Sequence, residues 1–113
     1  MKLLCIGDSL TFGYETDISK KWTRLLEKEL NIEVINFGIN GDTTSGMLSR
    51  FISAITQFKP THCLIFGGTN DLWFGLNDEL IMSNVYGMCK QAQYFNIIPL
   101  VGIPTPCFNQ DEI

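Results

Sequence analysis

The chain has 113 residues, room for one domain around one core, since single cores commonly run to ~100–150 residues. With 45% hydrophobic and 18% charged residues it does not have the composition of a disordered tail. Eight basic against twelve acidic residues, a net charge of −4 and no Lys/Arg cluster speak against nucleic acid or an anionic membrane surface as partner.

Lys2 to Ile6 is a short apolar run closed by Gly7-Asp8, the pattern of a strand buried on both faces. It is too short for a signal-peptide core of ~7–15 residues, so export is not expected, and no stretch reaches the ~20 apolar residues of a membrane span. Asp17 or Ser19 can cap a first helix whose stripe is Ile18, Trp22, Leu25, Leu26 and Leu30, with Lys21, Arg24 and Lys28 toward water. Ile32 to Phe37 is the second strand. The Gly38 to Gly46 stretch then reads as a loop, with Asp42, Thr43 and Thr44 available for capping. Met47, Phe51, Ile55 and Phe58 form the stripe of a second helix that must stop at Lys59-Pro60, because proline disfavours helical geometry in the residue before it. Thr61 to Phe66 is a third strand. Asn77 caps a third helix with Ile81, Val85, Met88 and Ala92 inward, and Ile97 to Ile103 is a fourth strand.

Strict alternation of strand and helix, with right-handed crossovers, implies a parallel sheet. The expected fold is an α/β, flavodoxin-like doubly wound sheet over residues 1–113, four strands in the order 2-1-3-4. The cysteines at 5, 63, 89 and 107 have no CxxC spacing and no neighbouring histidine, so they read as reduced thiols, which fits a cytoplasmic protein.

In such sheets ligands bind beyond the carboxyl ends of the strands. Four segments lie there: 7–14, 38–45, 67–75 and 104–107. The first, Gly7-Asp8-Ser9-Leu10-Thr11, puts a hydroxyl on a tight turn, suited to a nucleophile, although Asp8 or Ser9 serving as a mere cap explains the segment equally well. In Asn40-Gly41-Asp42-Thr43-Thr44 a glycine lets the backbone approach a ligand and present its N–H; alone, an ordinary turn before a threonine cap is the simpler reading. Gly67-Gly68-Thr69-Asn70-Asp71 can hold the Asn70 amide at the sheet edge, or be a loop of Asx turns. Together the three loops supply a hydroxyl, a glycine N–H and an amide donor.

The blocks GDSLTFG, GINGDTTSGM and GGTND, in this order and position, resemble the first three blocks of the SGNH/GDSL hydrolase family. The resemblance implies that Ser9 is the nucleophile and that Ser9 N–H, Gly41 N–H and the Asn70 side chain form an oxyanion hole. It implies no metal and no cofactor, and a small-molecule acyl ester or thioester as substrate. Asp8 and Asp71 are then expected to brace the loops and Asp42 to cap the following helix.

The family's last block, an Asp-x-x-His that supplies the general base, has no match here. His62 is the only histidine, at the start of the third strand and ~20 Å of extended chain from Gly68. The expectation is a C-terminally incomplete hydrolase domain of little activity, with the fourth strand an open apolar edge through which the chain associates with itself. Two rivals stand beside this reading. One is a flavodoxin-like binding or receiver module using Asp8 and Asp71 as magnesium ligands; the other is a catalytically dead acyl-binding domain of the same family.

Overall fold

The computed structural model describes residues 1–14 and 16–103. Four parallel strands, β1 (Lys2–Gly7), β2 (Glu33–Gly38), β3 (His62–Phe66) and β4 (Ile98–Gly102), form one sheet in the order β2-β1-β3-β4, as expected. Leu3 lies between Val34 and His62, and Gly7 between Gly38 and Phe66, so β1 is central and its residues Leu3 to Ile6 are all buried.

The helices are α1 (Ser9–Phe12), α2 (Trp22–Leu30), α3 (Thr44–Phe58), α4 (Thr69–Trp73) and α5 (Asp78–Tyr94). α3 and α5 cover one face of the sheet. Met47, Phe51, Ala54 and Ile55 from α3 and Met88 and Ala92 from α5 close over Leu4, Ile6, Cys63 and Ile65. Burying such side chains contributes roughly 1.5–3 kcal/mol each for the larger ones, and this layer fixes where the strands' carboxyl ends lie. Asn77 caps α5 by accepting the Leu80 N–H at 2.9 Å. α3 ends at Lys59 in the left-handed conformation (φ 48°), its N–H on the Ile55 carbonyl, just before Pro60.

The first helix differs from expectation. Ile18–Lys20 is a separate 3-10 turn, Lys21 is extended, and α2 starts only at Trp22. The cause is tethering to α1: the Lys21 ammonium stands 4.0 Å over the Phe12 ring, and the Trp22 indole donates to the Leu10 carbonyl at 2.8 Å. Ile18, Leu25 and Leu30 are consequently exposed, and only part of the anticipated stripe packs. α3 begins three residues earlier than its apolar stripe indicates, with Thr43 as its cap. Thr43 Oγ1 accepts the Gly46 N–H, whereas Asp42, expected in that role, pairs instead with Arg50. Two of the anticipated loops also contain the short helices α1 and α4. The segment 104–107 lies outside the described residues.

Candidate active site

Where β1 ends, the chain turns sharply at Asp8, whose Oδ1 accepts the Leu10 N–H at 2.9 Å and so caps α1. Ser9 is the first residue of that turn, half-buried, and a first helical residue has no intrahelical acceptor for its N–H. The end of β2 is pressed against this turn. A side chain at Gly38 would collide with the Phe12 backbone nitrogen, and the Ile39 N–H donates to the Gly7 carbonyl at 3.0 Å. Asn36 reinforces the contact, its amide donating to the Thr11 carbonyl at 2.8 Å and to Thr23 Oγ1 at 3.1 Å.

The next loop bends through Gly41, exposed at φ +78°, a conformation that disfavours any residue with a Cβ. Asn70, in α4 beyond β3, reaches this loop directly: its Nδ2 donates to the Asp42 carbonyl at 2.9 Å. An amide nitrogen has two protons, so one fixes the side chain and the second remains for another acceptor. Loops two and three are also joined underneath. Asp71, fully buried, accepts the Thr44 N–H at 2.8 Å on one oxygen and the Thr44 hydroxyl at 2.6 Å on the other. Asn84 of α5 donates to the same hydroxyl at 3.0 Å and to Ser45 Oγ at 2.9 Å.

Thus Ser9, Gly41 and Asn70 stand on neighbouring loops at one edge of the sheet. His62 does not join them, since it pairs with Leu3 at the opposite edge and its Nδ1 meets Thr61 Oγ1 at 2.9 Å. Asp71 is fully buried and accepts one hydrogen bond from Thr44 on each oxygen. Asp8 is buried with Oδ2 unpartnered. Burial, helped by the charges of Asp42 and Asp71, raises its carboxyl above the ordinary 3.8, against the Leu10 hydrogen bond that lowers it. Phe12, Tyr14, Trp73 and Phe74 are exposed around this edge and are not part of the core. Burial pushes the thiols of Cys5 and Cys63 up to about 12; both are free, as is Cys89. Cys107 lies outside the described residues.

Four residues of the network carry no sequence motif: Asn36, Thr44 in its partnership with Asp71, Arg50 and Asn84. For Asn36 and Asn84 a signal exists, a polar residue in an otherwise apolar strand or helix face, where a buried amide must find partners.

The serine turn, the glycine loop and the asparagine thus share the carboxyl edge of one parallel sheet of order β2-β1-β3-β4. The chain belongs to the GDSL-like lipase/acylhydrolase family, whose model matches residues 5–112. It is 40% identical over 92 residues to an arylesterase of Vibrio mimicus, covering 77% of this chain and 46% of that protein. It is 33% identical over 110 residues to the esterase TesA of Pseudomonas aeruginosa, covering 92% of this chain and 55% of that one. A solved G-D-S-L lipolytic protein from Desulfitobacterium hafniense superposes with a TM-score of 0.84 at 32% identity, over 88% of this chain and 57% of that structure. The chain therefore spans about half the length of these curated relatives.

Proposed function

We propose that this chain carries the nucleophile and the oxyanion-binding part of a serine carboxylic ester hydrolase acting on small acyl esters or thioesters. Ser9 Oγ attacks the acyl carbonyl, and the negative oxygen that results is held by Ser9 N–H, Gly41 N–H and the second proton of the Asn70 amide. The observation that carries this reading is the 2.9 Å bond from Asn70 Nδ2 to the Asp42 carbonyl, which fixes an amide donor beside the glycine loop before any substrate arrives. Donors fixed in advance cost no reorganisation during reaction and are worth roughly 10²–10³ in rate each.

The Ser9 proton must pass to a base within ~3 Å. His62, the only imidazole in residues 1–113, lies at the far edge of the sheet. Turnover by this chain alone is therefore expected to be slow, since losing the histidine of a catalytic triad can cost on the order of 10⁶. Hydrolysis of p-nitrophenyl acetate and butyrate should be measured for the chain, for a form extended at its C-terminus with the remaining segment of a full-length relative, and for Ser9→Ala in both. The extended form is expected to turn over only with Ser9 in place, and Asn70→Ala to lower that rate by about 10²–10³. Turnover unchanged in Ser9→Ala would refute the assignment.

A further inference from the structure

Arg50 sits on the second turn of α3, and helical side chains lean toward the N-terminus, which carries its guanidinium up to the site edge. Nη1 donates to the Phe37 carbonyl at 2.7 Å and Nη2 to the Gly7 carbonyl at 3.0 Å, so one group ties the next-to-last carbonyl of β2 to the last of β1. Nε and Nη2 both reach Asp42 Oδ2 at 2.9 Å, while Asp42 Oδ1 accepts the Thr43 N–H. Arg50 and Asp42 side chains are 16% and 13% exposed, and the guanidinium lies 4.8 Å from the Phe37 ring centroid. A side chain at Gly46 would collide with the Asp42 carboxylate, so the first turn of α3 is shaped to admit this pair.

Each of the three guanidinium nitrogens thereby donates one hydrogen bond within the protein, and the charge is paired with Asp42, so Arg50 is engaged by the loops and strand ends themselves. Its partners are telling. Gly7 lies two residues before Ser9, Asp42 directly follows Gly41, and the Asp42 carbonyl anchors Asn70. Resting on the reading of Ser9, Gly41 and Asn70 as the acyl-transfer site, we propose that Arg50 is the positioning residue of the oxyanion pocket, holding its three donors in one geometry through Asp42 and the two strand ends. A lysine cannot substitute, because one ammonium lacks the planar fork that reaches three oxygens at once.

The test compares the wild-type chain with Arg50→Lys, Arg50→Met and Asp42→Asn. In amide NMR spectra the Gly41 N–H and the Asn70 side-chain NH2 signals should move in all three variants, while the Asn84 side-chain signal of the Asp71 clamp stays. Thermal unfolding should remain cooperative. In the extended form, kcat should fall by about 10²-fold with little change in KM, the mark of lost orientation, and Arg50→Lys should not rescue it. A folded Arg50→Met protein with Gly41 and Asn70 signals at their wild-type positions overturns the proposal. If Arg50→Met does not fold, Arg50→Lys and Asp42→Asn decide by the same signals. An extended form without Ser9-dependent turnover would overturn the esterase reading, and the two signals would still decide whether Arg50 sets the loop geometry.

Discussion

At Asp8 two demands meet in one side chain. Its Oδ1 caps the turn that presents Ser9, and its Oδ2 is buried without a partner. An acid whose pKa is raised on folding favours the native state below its unfolded pKa, and loses that advantage as pH rises through the folded one. The raised Asp8 carboxyl therefore weighs against folding at neutral pH. Asp8→Asn keeps an oxygen for the Leu10 N–H and removes the charge. The gain in thermal midpoint of this variant over wild type should be small near about pH 4 and grow toward about pH 7. A gain that shrinks over that range would show that the charged form is the stabilised one. The cap was one of the readings open in the sequence, which left Asp8 and Ser9 equally able to supply it. The role of Arg50 was not legible there: its acceptors lie 13 and 43 residues upstream, and only the folded sheet brings them together.

Most elements with a period were read correctly, the first helix being the exception, and the short ones without a period were missed. The four strands, the long helices α3 and α5 and the Asn77 cap follow from apolar spacing and flanking turn residues. α1 and α4, with four and five residues, are too short to show a helical repeat, and the break at Lys21 comes from contacts with Phe12 and Leu10 that no local pattern encodes. The joint between α3, α4 and α5 through Thr44, Asp71 and Asn84 belongs to this scale as well. Thr44→Val removes the shared hydroxyl while keeping its shape, stranding an Asp71 oxygen and weakening the hold on Asn84. A buried polar group left unpaired costs about 1–3 kcal/mol, and more when charged, so a loss of about 3 kcal/mol is expected in urea unfolding. A loss below about 1 kcal/mol would mean that water reaches the joint.

Over the whole molecule the two faces of the sheet are unequal. α3 and α5 seal one. On the other, beyond α2, a cleft of about 310 Å³ is lined by Trp22, Leu64, Phe66, Gly102 and Ile103, and Ile98 and Leu100 are exposed on the same face of β4. β4 is also an edge strand among the described residues, with Val101 exposed on its other face. An apolar edge with free backbone groups pairs readily with a copy of itself. Sedimentation velocity should show the chain as a dimer or larger, and Leu100→Lys with Val101→Lys should shift it toward monomer. A stable wild-type monomer would rule out pairing through this edge. The strand order has one more consequence, in time. β1 is made first, yet Leu3 meets Val34 and then His62 only after those residues exist. At ~5–20 residues per second a ribosome needs several seconds to supply the third strand. During that interval Leu3 to Ile6 waits without its full set of neighbours, so the serine turn is synthesised before the strands that flank β1 exist.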